Sequence, residues 1–384
     1  MHVYHLASFS GNIGDVANHE AFYIQLQKKI EKEIQVTKDE IRDYYQSINI
    51  RQFDEYFVEQ VNKHDLFIIG GGNFFELCWD YSENGTTFNL SNKLLQKIKV
   101  PIFINGIGVD DNKGTSPKNI DNFREFLNTL FLHTEVFFTV RNDGSYDIFN
   151  NYFAEYIDRI IEIPDFGFFV SEVPLVNKHK SRRKVKSIGF NIALDMPQIR
   201  YAKLDYEKYL KEVAKQIDLL LSKTDFHIYL FAHIQSDYQA ILALLNYVEN
   251  KHARTRISIS ALVQERELET FKLYKECEIV FAMRFHANVC AISLGVPTFG
   301  MVSYPKHELL YDKIELSDRK CSLNNIDFMK TFQEEVQRLI EFPKYLDVLR
   351  KRYKKIMENL IVEKDIMFDQ WVEWYVSTQR NKDS

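Results

Sequence analysis

Arg284 and His286 stand one residue apart after a short apolar run, Ile279-Val280-Phe281-Ala282. A guanidinium is a fixed cation that holds a carboxylate or phosphate by paired hydrogen bonds. An imidazole, with an unperturbed pKa near ~6.5, exchanges protons around neutral pH. Where a strand end is still extended, alternate side chains share a face, so both groups would point the same way. From His286 to Leu294 the residues suit a helix, and Gly295 then Pro297 supply its stop. Cation and imidazole thus fall at a strand's carboxyl end beside a helix N-terminus. Open α/β sheets bind ligands there, and the helix's first N–H groups favour an anion. The plainer roles stand beside this one with equal weight: Arg284 pairing a local carboxylate, His286 capping the helix.

Similar strand ends recur upstream. Val3 to Phe9 reads as a strand, Ser10 to Asp15 as a glycine-punctuated turn, and Phe22, Leu26 and Ile30 mark one face of a helix. Asn12, Gly14 and Asp15 let backbone and polar groups approach a ligand's anion; by sequence alone, N-capping is the first role for Asp15. The strand Asp65 to Ile69 runs into Gly70, Gly71, Gly72 and Asn73. Three consecutive glycines suit a place where a ligand or another backbone comes close. Phe74 to Thr87 follows as an irregular aromatic loop suited to acceptor contacts. Pro101 to Ile104 leads into Asn105, Gly106, Ile107 and Gly108, and Val136 to Val140 into Arg141, Asn142, Asp143, Gly144 and Ser145. None of these loops is a dinucleotide fingerprint or a P-loop.

Strands that repeatedly end in glycine or charge, each followed by a helical pattern, predict a doubly wound parallel sheet, whose edge gathers the loops into a cleft. The pattern breaks at Ser171 to Lys186, where Lys178, Lys180, Arg182, Arg183, Lys184 and Lys186 suggest a surface linker. It restarts with the strand Ser187 to Asn191 and an amphipathic helix through Tyr209 to Leu221. Next come a strand from Phe226 ending at Ala232-His233, a helix around Ile241 to Leu245, a strand Arg256 to Ser260 and a helix Glu265 to Lys275. His233 therefore occupies a strand end comparable to that of His286, structural by default and raised modestly as a ligand contact. The expected division is 1–172, 184–325 and a helical region 326–384. In the last, Phe332 to Leu360 and Val362 to Tyr375 form two helices that pack back on the body.

At 384 residues two domains are the natural reading, and 45% hydrophobic with 27% charged residues fits a globular protein. A net charge of −5 argues against a nucleic-acid partner. Cys78, Cys277, Cys290 and Cys321 are widely spaced with no C-x-x-C pair, which suggests reduced thiols in a cytoplasmic protein and no metal. The first residues lack the pattern of a signal peptide, and no apolar stretch nears the ~20 residues of a membrane span.

Taken in order, the motifs resemble those of the polysaccharide pyruvyl transferase family. They are Asn12-Ile13-Gly14-Asp15, Gly70-Gly71-Gly72, Gly106-Ile107-Gly108, Arg141 to Ser145, Arg284-Phe285-His286, Gly295-Val296-Pro297 and Tyr304-Pro305-Lys306. The departures are Asn142 where the family usually has Asp, Val109-Asp110 where the third loop usually ends in Gly-Pro, and one residue fewer between Tyr304 and Lys306. The resemblance implies an α/β fold of GT-B type: two Rossmann-like domains with parallel sheets facing across a cleft. It also implies transfer of pyruvate from phosphoenolpyruvate to two hydroxyls of a sugar, as a cyclic ketal, on a cell-surface polysaccharide or its lipid-linked precursor. Arg284 is then assigned to the donor's carboxylate or phosphate, His286 to the general acid, and Asp15 to the base for the acceptor hydroxyl. Asn12, Gly14, Gly71, Gly72, Asn73, Gly106, Gly108 and Ser145 would line the substrates, with Arg141, His233 and Lys306 as further anion contacts. No cofactor is expected beyond phosphoenolpyruvate as donor. A cytoplasmic location at the inner face of the membrane, peripheral association through the acceptor and a homo-oligomer all fit. Two alternatives stay open. One is a GT-B nucleotide-sugar glycosyltransferase, for which Glu308 and Glu315 are the acidic residues at hand. The other is a non-catalytic glycan-binding relative, motivated by Asn142.

Overall fold

The structure, a computed structural model, describes residues 1–133, 135–178, 185–264, 266–342 and 344–383. Lys180, Arg182, Arg183 and Lys184 of the expected linker lie outside the described residues, as does Glu265, the expected start of a helix. The chain divides into two compact units. One comprises Met1–Ser10, Phe22–Phe166 and the chain from Leu360; the other comprises Gly11–Ala21 and Gly167–Asn359. Part of the stretch expected as linker is packed: Val176 is fully buried, and the Lys275 ammonium donates to the carbonyls of Val176 and Asn177.

In the first unit, six parallel strands lie in the order β2-β1-β3-β5-β7-β8. They are β1 His2–Ala7, β2 Gln35–Glu40, β3 Leu66–Gly70, β5 Ile102–Ile107, β7 Val136–Arg141 and β8 Ile160–Ile163. A two-stranded piece, β4 Phe75–Glu76 with β6 Val109–Asp110, sits apart from them. Every residue of β3 and β5 is buried, as expected for strands covered on both faces. The second unit repeats the plan as β11-β10-β9-β12-β13-β14, again all parallel. These strands are β9 Ser187–Asn191, β10 His227–Phe231, β11 Ile257–Ile259, β12 Cys277–Ala282, β13 Thr298–Val302 and β14 Lys320–Ser322. In each sheet the chain runs outward to one edge and then returns past its first strand. The order reverses between β1 and β3 in one and between β9 and β12 in the other, and at such a switch point a crevice opens outside the carboxyl ends.

The helical C-terminus differs from expectation. One helix spans Phe328–Glu341, and a second runs unbroken over Tyr345–Asp383, straight through Ile361 where a division was expected. Neither Gly nor Pro interrupts residues 345–383, so nothing in the sequence stops the helix there. From Leu360 on, this helix belongs to the first unit. Phe368 and Trp371 are buried there, Phe368 against Phe22 and Phe166 and Trp371 against Phe103.

In the second unit, the Phe328–Glu341 helix is fastened to the sheet by a buried ion pair. Arg319 Nη1 and Nη2 donate to the two oxygens of Glu335 at 3.0 and 2.6 Å, and Nη2 also reaches the Thr298 carbonyl at 3.1 Å. Both side chains are 1% exposed. Removing one partner leaves the other charge buried without compensation, which costs about 3–5 kcal/mol. Glu335→Ala is expected to lower the unfolding free energy of this unit by that amount in urea titration, and Glu335→Gln by less.

Candidate functional site

The switch point of the second sheet is built from side chains at three adjacent strand ends. Asn191, the last residue of β9, donates from Nδ2 to the Phe231 carbonyl of β10 at 3.0 Å. Its Oδ1 accepts the Arg284 N–H, just past β12, at 2.9 Å. One amide therefore stitches the carboxyl ends of β10, β9 and β12 together. The strand has finished at Ala282, and Arg284 is the extended N-cap of the helix Phe285–Ser293, with His286 inside its first turn. Alternation along a strand does not govern the pair, and the two side chains have separate partners.

Arg284 Nε donates to Asp237 at 2.7 Å, and Nη2 donates to both Asp237 and Asp195, the latter at 2.6 Å. Burial alone would lower the pKa of this guanidinium; the two carboxylates reverse that and raise it. Asp237 is fully buried and sits at the third position of the helix Gln235–Leu245. It also accepts the backbone N–H groups of His233 and Ile234, at 2.8 and 3.3 Å. Asp195 is in turn paired with Arg200 at 3.0 Å. Burial pushes the Asp195 carboxyl up, but the charges of Arg284 and Arg200 hold it below its ordinary value. Arg284 is thus a cation held between two carboxylates of its own unit.

His286 is paired with Asp15 instead, Nδ1 to Oδ1 at 3.6 Å, with both side chains largely buried. Asp15 comes from the helix Ile13–Lys29, which starts three residues earlier than a turn ending at Asp15 would place it. The capping residue is Asn12, not Asp15: its Oδ1 accepts the Gly14 N–H at 3.0 Å, and its Nδ2 steadies Asp15 Oδ1 at 3.1 Å. The helix start is fixed further by the Ile13 N–H donating to the His233 carbonyl at 3.2 Å. Gly14 lies against the imidazole. A Cβ there would fall 2.3 Å from His286 Cβ and 2.6 Å from Nδ1.

His233 is completely buried, with Nε2 2.8 Å from the Tyr274 hydroxyl. Its Nδ1 has no hydrogen-bond partner among the described residues. Burial, then the positive charges of Arg284 and His286, hold its pKa well below the usual histidine value. It is held as a neutral imidazole, in keeping with the structural role expected of it by default. Lys306, the second residue of the helix Pro305–Lys313, is half-buried with its ammonium 5.9 Å from the Tyr304 ring.

In the first unit, the glycine loops bind one another. Gly71 N–H donates to the Asn105 carbonyl at 2.7 Å, and Gly108 N–H to the Gly72 carbonyl at 2.8 Å. A Cβ on Gly70 (φ +133°) would lie 2.3 Å from the Asn105 oxygen, so here glycine makes room for a neighbouring backbone. Gly108 makes room for the side chains of Asn73 and Arg141, which a Cβ would meet at 2.4 and 2.7 Å. Arg141 is buried and pairs with Asp143 at 2.6 Å. Ser145 Oγ accepts the Val109 N–H at 2.9 Å and donates to Asp143. These contacts make Arg141 and Ser145 loop-holding residues. Gly106 N–H is taken by Thr139 Oγ1 at 2.8 Å. Asn142 keeps an acceptor oxygen, which receives the Asp165 N–H at 3.3 Å. Val109 and Asp110, departing from Gly-Pro, form β6 against Phe75 and Glu76. Asn73 Oδ1 and both polar atoms of the Asn105 side chain are buried without a partner among the described residues.

Asp195, Asp237, Asn191 and Arg200 were not singled out from the sequence. Asp237 carried a signal, an acidic residue at the third position of a helix that follows a strand; the others carried none beyond lying near strand ends. Asp218, Glu249 and His252 also gather within 4.8 Å in the second unit. There Asp218 accepts the Glu249 N–H and pairs with His252 at 2.6 Å, closing the start of the helix Asn250–Thr255.

Gly14→Ala probes the packing against His286, because alanine favours a helix and the nearest atoms its Cβ would meet are those of the His286 side chain. The variant is expected to stay folded by circular dichroism, shift the His286 ring resonances and lose most of its turnover. His233 sets a pH dependence of stability. Its folded pKa is depressed, so below the unfolded value near ~6.5 the unfolded chain binds a proton that the folded chain refuses, and stability falls as pH falls. The slope is about 1.4 kcal/mol per pH unit once below that value. His233→Gln is expected to remove that share of the slope between pH 6.5 and 5 in denaturant titrations.

The sequence model of the polysaccharide pyruvyl transferase family matches residues 12–305. No curated protein matches the chain. Among solved structures, S. aureus MnaA in a co-structure with UDP is similar at a TM-score of 0.56 and 11% identity, over 94% of this chain and 95% of that one. The Neisseria meningitidis UDP-GlcNAc 2-epimerase bound to UDP-GlcNAc is similar at 0.52 and 15%, over 94% and 100%. The α,α-trehalose-phosphate synthase of Burkholderia vietnamiensis is similar at 0.51 and 11%, over 100% and 99%. Identities this low establish the fold, which is of the GT-B type with a parallel sheet in each α/β unit. The family match covers the N-x-G-D turn that supplies Asp15, the arginine and histidine at the β12 switch point and the Tyr304-Pro305 step, and the chain belongs to the polysaccharide pyruvyl transferase family, a family of transferases.

Proposed function

We propose that this protein transfers pyruvate from phosphoenolpyruvate to two hydroxyls of one sugar, forming a cyclic ketal on a cell-surface glycan or its lipid-linked precursor. The observation that carries the reading is His286 facing Asp15 in the first turn of a helix, inside a chain of this family. Ketal formation begins with a proton added to the donor's methylene carbon, which leaves C2 electrophilic. A sugar hydroxyl attacks C2 and gives up its proton. The C2–O bond to phosphate then breaks, and the second hydroxyl closes the ring. Two protons leave the two hydroxyls; one ends on the methyl carbon and one on the released phosphate. His286 is the acid that protonates carbon, with Asp15 orienting the ring and sharing its proton. The first N–H groups of the helix Phe285–Ser293 and the nearby guanidinium favour the donor's negative charge without reorganising. In the first unit, Asn73 Oδ1 and the side-chain amide of Asn105, buried without a partner among the described residues, are the groups we assign to sugar hydroxyls. The chemistry suits a cytoplasmic enzyme that meets its lipid-linked acceptor at the membrane face. Among the described residues, no helix is long and apolar enough to cross a membrane.

Thermal-shift titration separates this reading from nucleotide-sugar transfer. Phosphoenolpyruvate is expected to raise the melting temperature by mass action, and UDP- or GDP-sugars to leave it unmoved. His286→Ala is expected to lower phosphate release from phosphoenolpyruvate, in the presence of acceptor glycan, by about 10²–10⁴-fold. Stabilisation by nucleotide sugars alone, with no phosphate released, would refute the pyruvyl reading.

A further inference from the structure

Asp195 and Arg200 form a device that the sequence did not disclose. Arg200 is 3% exposed, at the end of the short helix Pro197–Arg200. Its Nη1 donates to Ser303 Oγ at 2.6 Å, and the guanidinium carbon lies 4.6 Å from the centre of the Tyr304 ring. Nη2 donates to Asp195 Oδ2 at 3.0 Å and Nε to Oδ1 at 3.2 Å. The same carboxylate takes Arg284 Nη2 on Oδ1 at 2.6 Å. One carboxylate thus bridges two buried guanidiniums, yet its side chain is 30% exposed, against 4% for Arg200 and 10% for Arg284.

Each guanidinium has other anchors. Arg284 keeps Asp237, whose side chain is 0% exposed, and Arg200 keeps Ser303 and the Tyr304 ring. If Asp195 swung outward, both cations would stay in place, and only Asp237 would remain to offset two positive charges. The position vacated is shaped for a planar carboxylate, because a carboxylate fills it now. It lies beside the N-terminus of the helix Phe285–Ser293, which adds to the pull on an anion.

We propose that Asp195 is a built-in surrogate for the donor's carboxylate. Its side chain closes the Arg200–Arg284 pair in the empty enzyme, and the substrate's carboxylate displaces it on binding. The proposal rests on the reading of phosphoenolpyruvate as donor and adds Arg200 to the residues that bind it. A site closed by its own surrogate nine-tenths of the time binds its ligand about tenfold more weakly than the open site.

Isothermal titration of pyruvate, a carboxylate without a phosphate, tests this directly. Asp195→Ala is expected to bind pyruvate about tenfold more tightly than the unmodified protein and to lower the KM for phosphoenolpyruvate with little change in kcat. Inorganic phosphate should tighten less. Asp195→Asn keeps the side chain's size and one acceptor, and should shift pyruvate affinity in the same direction by a smaller factor. Adding Arg200→Ala to Asp195→Ala should abolish the gain. Unchanged or weaker pyruvate binding in both single variants, or a gain that survives the Arg200 change, overturns the surrogate role. Phosphate release from phosphoenolpyruvate that persists alongside such a result leaves the pyruvyl reading standing and removes only this inference.

Discussion

Burial of the Asp237 carboxylate is the constraint on which the second unit's site depends. A charged oxygen pair with no access to water is tolerated only when every lone pair is answered. Here the answers are the His233 and Ile234 N–H groups and the Arg284 guanidinium. That requirement fixes the start of one helix against the N-cap of another. With Asn191 spanning β10, β9 and β12, three strand ends become a rigid rim. Arg284 cannot wander toward solvent without stranding Asp237, so its place is set before any ligand arrives.

From that anchored arginine the rest of the second unit's site follows by short distances. The helix Phe285–Ser293 must begin where Arg284 ends, which puts His286 in its first turn. The imidazole then needs a partner and a gap. Asp15 supplies the partner, and the absent side chain of Gly14 supplies the gap. An alanine would be the better helix former at position 14 by about 1 kcal/mol. Glycine there exchanges some helix stability for the room that His286 occupies.

Much of the plan was legible because the chain is locally consistent. The apolar runs within Asp65 to Ile69 and Pro101 to Ile104 read as strands and are buried on both faces, and Gly295 (φ +72°) stops its helix where expected. The order of turns revealed the family before any coordinates. What sequence could not supply was pairing. Arg284 could equally be an anion site or the partner of a carboxylate, and the carboxylates that hold it could not be named because they lie 47 and 89 positions upstream. Arg141 and Ser145 looked like ligand contacts, yet Arg141 is paired within its own loop by Asp143, and Ser145 ties that loop to the Val109 N–H. His233 was structural by default and only modestly a ligand contact from its strand-end position; its complete burial beside Arg284 keeps it neutral. The single long helix after Tyr345 was expected as two, although no residue there stops a helix.

The neutrality of His233 bears on how the arginines can serve an anion. A protonated His233 would add a further positive charge beside Arg284 and His286 and would need a further carboxylate to hold the cluster together. With His233 uncharged, His286 has Asp15 as its own partner, and the two guanidiniums are matched by two carboxylates. Of those carboxylates one is sealed and one reaches water, so they differ in the cost of leaving. Withdrawing Asp237 would expose backbone donors and a charge to an interior with no replacement. Withdrawing Asp195 returns a carboxylate to solvent and leaves one net positive charge at a helix N-terminus. The asymmetry in burial, more than the number of arginines, is what lets one cluster be both a structural anchor and a seat for an incoming anion.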